Sequence, residues 1–227
     1  MFILSAVRSG STLLRVVLGE HSALYAPHEL HLKDIRVRLA GSFAPRSMAR
    51  LGIDARDLEY ILWDRLMHGL LLRSGKTVFV NKTPTDVFIW ERIAECWPDA
   101  RYVFLLRHPA AIAASWHEAQ AHWTFDQVVD DMLSYVTALE RARRALPGLT
   151  VRYEELTARP VAVVRGICRF LGVAWEPGML RYHDREFSPG MGDWSPKIHS
   201  GRPLRSPAPP DEVAPRLRDI CRTWGYV

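Results

Sequence analysis

The sequence predicts an α/β fold, a three-layer arrangement in which helices flank a parallel sheet. Three observations carry that prediction. Short β-branched or aromatic runs alternate with longer stretches of helical periodicity. The first run passes through a turn of small residues straight into a helix, and a proline opens the helix that follows a later strand. Strands separated by helices pair in parallel through right-handed crossovers, which put helices on both faces of the sheet.

Taken in order, Phe2-Ile3-Leu4-Ser5-Ala6 is a buried strand, and about Thr12–Glu20 is a helix whose apolar face is Leu13, Leu14, Val17 and Leu18. A second helical stretch covers about Asp57–Leu72, with Leu58, Ile61, Leu62, Leu66 and Leu70 at helical spacing. Thr77–Asn81 is the next strand and Thr85–Trp97 a helix stopped by Pro98. Arg101–Leu106 is a third strand, after which Pro109 begins a helix. Thr124 and Gln127 make a capping-box pattern for a helix ending near Leu146, Thr150–Tyr153 is a short strand, and Pro160–Leu171 a helix. Glu186–Pro210, rich in Ser, Pro, Gly and Arg, has no periodicity and reads as a functional loop or lid over the site. A last helix is expected over about Asp211–Trp224.

The 227 residues suit one domain spanning 1–227, large enough to hold its fold without a metal or disulfide staple. With 48% hydrophobic and 24% charged residues, disordered, coiled-coil and fibrous chains are excluded. Cys96, Cys168 and Cys221 are odd in number and far apart, which points to reduced thiols and a cytoplasmic setting. The apolar runs Phe2–Val7 and Val103–Leu106 are far below the roughly 20 residues that cross a bilayer, so no membrane role is expected. Nor does the first run carry a signal-peptide cleavage pattern. The net charge of +5 favours a small polyanionic ligand. Nucleic-acid binding would want a basic stripe with interleaved aromatics, and the basic residues are dispersed. Nothing in the pattern speaks to oligomeric state.

The sharpest chemical signal is the first strand–turn–helix, which runs through Arg8-Ser9-Gly10-Ser11-Thr12-Leu13-Leu14. Such a turn aims backbone N–H groups and a helix dipole at one point, an anion site that phosphate commonly fills. Against the triphosphate pattern G-x-x-x-x-G-K-[ST], the loop keeps Gly10 and Thr12 but has Ser5 for the first glycine and Ser11 for the lysine. Arg8 puts a cation at the front of the turn instead. The competing reading is a tight turn with an incidental glycine. A second signal is Leu105-Leu106-Arg107-His108-Pro109 leading to Ser115, an arginine at a strand end followed by a serine two turns into a helix. In a parallel sheet that edge is where ligands sit, so Arg107 and Ser115 can converge on a second phosphate. Taken alone, a strand-end arginine is more often a surface ion pair.

Together these motifs resemble those of the sulfotransferases that use 3′-phosphoadenosine-5′-phosphosulfate (PAPS), with the match running in order and spacing from Phe2 to about Leu171. The resemblance implies a P-loop-like sulfotransferase fold, with Arg8, Ser9, Gly10, Ser11, Thr12 and Leu13 holding the 5′-phosphosulfate and Arg107 and Ser115 the 3′-phosphate. It further implies that Tyr153 sits near the 3′-phosphate and that Lys197–Arg202, with Arg202 as a contact, belongs to a basic loop over the nucleotide. Sulfuryl transfer resembles phosphoryl transfer: a loose in-line transition state, served by positioning, cations and a base. Lys82, in Asn81-Lys82-Thr83-Pro84, matches the family's strand-end lysine and would neutralise charge on the leaving phosphate; a solvated strand-end lysine is the plainer alternative.

The base lies in Ala26-Pro27-His28-Glu29-Leu30-His31. Glu29 is spaced from Arg8 as the catalytic glutamate is in the tyrosylprotein sulfotransferases. The segment also resembles the Pro-Pro-Glu-Leu-His-Leu stretch of sulfotransferase domains in polyketide synthases that make terminal alkenes, with His28 replacing the second proline. Glu29 is preferred as base, His31 is its rival, and His68 a distant third on an amphipathic helix. The His28–His31 and His117–His122 spacings miss the HExxH pattern by one residue in opposite directions, so no metal is expected, and there is no G-x-S-x-G elbow. Trp90 and Trp97 read as core, whereas Trp116, Trp123 and Trp194 are candidates to line an acceptor pocket or face adenine. The implied activity is sulfuryl transfer from PAPS, leaving PAP, to a hydroxyl of a small molecule or a carrier-protein-bound chain, most in keeping with bacterial natural-product biosynthesis. Two rivals are an ATP-dependent small-molecule kinase, disfavoured by Ser11, and a non-catalytic nucleotide-binding or carrier-docking module, disfavoured by the trio Arg8, Glu29 and Lys82.

Overall fold

The computed structural model describes residues 1–182 and 213–227, so the expected lid at 186–210, Trp194 and Arg202 lie outside the described residues. In chain order the elements are β1 (Phe2–Ser5), α1 (Ser11–Gly19), β2 (Leu24–Tyr25), α2 (Phe43–Arg50), α3 (Ala55–Ser74), β3 (Val78–Phe79), β4 (Asn81–Lys82) and α4 (Trp90–Cys96). There follow β5 (Tyr102–Leu106), α5 (Pro109–Ala119), α6 (Phe125–Ala145), β6 (Gly148–Arg152), α7 (Tyr153–Ala158), α8 (Pro160–Leu171) and α9 (Arg218–Thr223).

Four strands pair in parallel in the order β4-β1-β5-β6, with Phe2 opposite Asn81 on one side and Tyr102 on the other. Successive side chains point to opposite faces, and both faces are covered. Ile3, Val103 and Leu105 pack with Leu14 and Val17 of α1 and Ile167 of α8. Phe2, Leu4, Phe104 and Leu106 pack with Trp63 of α3, Ile112 of α5 and Met132 and Val136 of α6. The chain thus leaves β1 toward one face and its neighbour β5 toward the other. That divergence opens a crevice at the C-terminal ends of these two strands, where an open parallel sheet binds its ligands.

The expected three-layer arrangement is present, with local corrections. The strand expected over Thr77–Asn81 is two: β3 pairs with β2, then Val80 N–H donates to Tyr25 O at 2.8 Å and Asn81 N–H to Met1 O at 3.0 Å, so the segment changes partner at Val80. The helix expected over Thr85–Trp97 is a 3₁₀ turn, Pro84–Phe88, followed by α4, broken at Ile89, whose ψ of 23° at φ −127° leaves the helical region. Tyr153 is not the last residue of a strand but the first of α7. The last helix is shorter than expected: Pro215–Leu217 form a 3₁₀ turn before α9.

Helix α3 is capped reciprocally by Asp54 and Asp57 and ends at Gly75 in the left-handed region, but it buries Glu59, Trp63 and Met67 rather than the leucine stripe. Ile61 is 60% exposed and Leu62 43%. Glu59 explains the rotation: its carboxylate accepts from Val37 N–H at 3.0 Å and is paired with Arg92 and Arg36, while Trp63 Nε1 donates to Ile35 O at 3.2 Å. The helix therefore turns toward the polar backbone it must satisfy. Cys96, Cys168 and Cys221 are free thiols, and burial pushes Cys96 up to about 12. Among the described residues no helix is long and apolar enough to cross a membrane.

Candidate active site

The turn after β1 folds tightly, with Ser9 N–H donating to Ala6 O at 3.3 Å. Two of its residues are left-handed, Arg8 at φ 63° and Gly10 at φ 85°. Gly10 is required twice over, because a Cβ there would lie 2.3 Å from ring carbons of Tyr153. Arg8 holds an unfavourable conformation for a side-chain-bearing residue, and its carbonyl is fixed there by Arg107 Nη1 at 2.7 Å. Gly10 also occupies the N-cap position of α1 without a side chain to cap it, so the first N–H groups of the helix face the turn.

Arg8 Nε donates to Ser115 Oγ at 3.2 Å, and the Arg107 guanidinium lies 4.7 Å from the centre of the Tyr153 ring. The turn after β1, the end of β5, α5 and the start of α7 therefore meet at one spot. Arg107 is buried, which lowers its pKa from the usual arginine value. Its backbone is anchored next door: His108 N–H donates to Glu154 Oε1 at 2.9 Å and Tyr226 Oη donates to Glu154 Oε2 at 2.8 Å. The Ser5 and Ser9 hydroxyls and Arg107 Nε are buried without a protein partner. Two orphaned hydroxyls and an unsatisfied guanidinium N–H, beside the Arg8 guanidinium and a helix N-terminus, are the chemistry that an anionic ligand satisfies.

A second cluster adjoins the first through α1. Lys82, only 1% exposed at the end of β4, contacts the Glu29 carboxylate and donates to Thr12 Oγ1 at 3.2 Å. His31 Nε2 stands 3.5 Å from the other Glu29 oxygen, with its side chain 52% exposed. The segment carrying Glu29 is tied down along its length. Arg15 Nη1 donates to Ala26 O at 3.1 Å and Pro27 O at 3.2 Å, and His31 N–H donates to Thr83 Oγ1 at 3.3 Å. Glu59 and Trp63 hold its continuation at Val37 and Ile35.

Of the residues singled out from sequence, Arg8, Ser9, Gly10, Arg107, Ser115 and Tyr153 come together in the first cluster. Thr12, Lys82, Glu29 and His31 come together in the second, with Thr12 joining the two. Ser11 and Leu13 are buried at the start of α1, and the Leu13 side chain packs into the core, which leaves only its backbone facing the turn. His68 is remote, beside a cavity of about 400 Å³ lined also by Met1, Phe2 and Trp97 at the opposite edge of the sheet. Trp116 is buried, edge-on to Tyr135 at 5.5 Å, and Trp123 packs half-buried against the same core. Sequence reasoning missed Arg15, Asn81, Thr83, Asp86 and Tyr135. Asn81 and Thr83 flank Lys82 and were within reach of a closer look at that motif. Arg15 and Tyr135 lie on helices whose facing depends on packing.

A family model described as the sulfotransferase family matches residues 1–177. The chain belongs to that family. As a sulfotransferase it is 22% identical to protein-tyrosine sulfotransferase 1 of Danio rerio over 205 residues, 81% of this chain, and it spans 56% of that protein's length. The sulfotransferase domain from the curacin biosynthetic pathway superposes with a TM-score of 0.74 at 23% identity, covering 100% of this chain and 97% of the other. Mouse sulfotransferase SULT7A1, solved in complex with PAP, superposes with a TM-score of 0.55 at 11% identity, covering 99% of this chain and 82% of the other. At these identities the superpositions speak for the fold.

Proposed function

We propose that the chain moves a sulfuryl group from PAPS to the hydroxyl of a natural-product intermediate, free or carried on a protein, within a bacterial cytoplasm. The observation that carries the reading is the meeting of an anion cradle (Arg8, Gly10, Arg107, Ser115) with a lysine–carboxylate pair (Lys82, Glu29) through Thr12. PAP in the mouse neighbour supports the donor, and the curacin neighbour with the Glu29-Leu30-His31 motif supports the setting.

The residues divide the work by position. The turn from Arg8 to Leu13 binds the phosphosulfate end with backbone N–H groups and the Arg8 guanidinium. Arg107 and Ser115 take the 3′-phosphate, with Tyr153 closing the Gly10 turn; Arg202, outside the described residues, is assigned to the same nucleotide. When bound, the donor supplies a sulfuryl group on a phosphate leaving group, and charge spreads over oxygens as the bond loosens. Lys82 neutralises that charge, already fixed by Thr12 and Glu29. Glu29 takes the acceptor proton. Its carboxylate is mostly buried and held in the cluster, whereas the His31 ring is half in solvent and reaches the site only through Glu29.

Calorimetric titration with 3′,5′-bisphosphoadenosine tests the donor: micromolar or tighter binding, lost in Arg107→Ala, is expected, and equal or better binding of ATP overturns it. Glu29→Gln is expected to keep nucleotide affinity and collapse turnover. If His31→Ala does so instead, the base is His31.

A further inference from the structure

The stretch that presents Lys82 carries a carboxyl group that the reaction above leaves without a role. Asp86, in the 3₁₀ turn Pro84–Phe88, is 1% exposed. Asn81 Nδ2 donates to its Oδ2 at 2.6 Å, yet Asp86 Oδ1 and Asn81 Oδ1 are both buried without a partner. Both orphans are acceptors. A carboxylate leaves both of these acceptors unmet, whereas a proton on the carboxyl turns one of its oxygens into a donor and lowers that demand.

The charged surroundings agree. Burial pushes Asp86 up to about 7, with Glu29 and Asp34 raising it and Asn81 and Lys82 pulling it down. Those groups come from the segment after β2, the Leu32–Asp34 turn and β4. From α6, Tyr135 sits within reach of the same Glu29 charge and of Asp131. From the Leu32–Asp34 turn, Lys33 is engaged over the Phe88 ring. The β1 strand brings no titratable side chain. In α4, Glu91, Arg92 and Glu95 are paired with Arg141, Glu59 and Tyr60.

We propose that Asp86 is a positioning residue kept as a neutral acid beside the Lys82–Glu29 pair, and that its ionisation loosens the hold of the site on an anionic donor. The inference rests on the reading of the site as one that binds a polyanionic nucleotide. With Asp86 neutral, Lys82 answers the Glu29 carboxylate and its ammonium stays aimed across Thr12. When the proton leaves to solvent, a second anion competes for the same ammonium and repels the incoming phosphates. For charges several ångströms apart in a partly screened site, that repulsion corresponds to about a ten-fold loss of affinity.

The experiment is nucleotide titration of the full chain at pH 6 and pH 8, for the parent and for Asp86→Asn, with 3′,5′-bisphosphoadenosine as the probe. Asparagine keeps the shape, still offers an acceptor to Asn81 Nδ2 and brings a permanent donor without a titrating proton. The affinity of the parent is expected to fall about ten-fold more than that of the variant between the two pH values. Contributions shared by both chains, those of the nucleotide's own phosphates and of His31, cancel in that ratio. Infrared difference spectra at pH 6 are expected to show a protonated-carboxyl band that Asp86→Asn removes. An identical pH ratio in the two chains, or no such band, overturns the inference. Failure of the parent to bind the nucleotide at either pH overturns the donor reading and the affinity half of this proposal, while the infrared band still decides the protonation of Asp86.

Discussion

The two ends of the candidate site are held by different means. At the cradle, the groups come from the ends of strands or the first turns of helices and are locked together by contacts between them: Arg107 donates to the Arg8 carbonyl, Arg8 to Ser115, and Tyr153 packs against Gly10. Beyond Glu29 the chain runs into α2, which buries none of its residues and leaves Phe43 82% exposed. On the function proposed above, fixed backbone geometry would hold the constant donor, and the freely exposed segment would lie where an acceptor is chosen. Rigid strand ends with variable loops around them are a general division of labour in α/β enzymes.

The largest effect is expected where the two ends meet. Lys82→Met keeps the buried stem and removes the ammonium that joins Thr12 to Glu29. Loss of one preorganised cation or donor at developing charge costs about 10²–10³ in turnover. A sulfuryl-transfer assay that finds less than ten-fold loss would show that the two clusters do not act on one substrate.

Gly10→Ala probes the cradle alone. Its Cβ would meet Tyr153 at 2.3 Å in a backbone conformation that L-residues resist. A destabilisation of about 2–4 kcal/mol, read by chemical denaturation, is expected together with weakened nucleotide binding. If stability falls while nucleotide affinity holds, Tyr153 packs there for the fold and not for the ligand.

Asp86→Asn separates the pair from the cradle through pH. An ordinary aspartate ionises near 3.8 in the unfolded chain, whereas folded Asp86 keeps its proton to about 7. Between those values the folded state binds more protons, so the parent loses stability as pH rises through the window and levels off above 7. The variant carries no such penalty. Melting temperatures are expected to diverge in its favour from pH 4.5 to about pH 8 and to run parallel above that. Curves parallel throughout would mean that Asp86 ionises in the fold as it does in the open chain.

The same contrast governs what the amino-acid sequence alone reveals. Arg8, Gly10 and Arg107 are legible because each stands at a fixed step from a strand end, and strand ends announce themselves through β-branched runs and the small residues or proline that follow, whereas Tyr153 is reached only through the family resemblance. The facing of α3 is not legible. Leucines at 58, 62 and 66 promise a stripe as good as the one that forms, and only the demand of Val37 N–H and Ile35 O for partners selects Glu59 and Trp63. Thr77–Asn81 reads as one strand because a change of partner at Val80 leaves the composition unchanged. Asp86 was invisible for a related reason: an aspartate in a polar stretch gives no hint that it will be 1% exposed.

The smallest effect belongs to α2. Phe43→Ser removes a large apolar side chain, a change that costs several kcal/mol in a core. Here that side chain is 82% exposed and its helix buries nothing, so no cavity forms and no packing is lost. Stability is expected to stay within about 0.5 kcal/mol of the parent. Nucleotide affinity is expected to be unchanged, since α2 supplies no group to the cradle. A loss above about 1 kcal/mol would mean that Phe43 is covered in solution. Weakened nucleotide binding would mean that α2 reaches the cradle, and the division between a rigid donor end and an open acceptor end would fall with it.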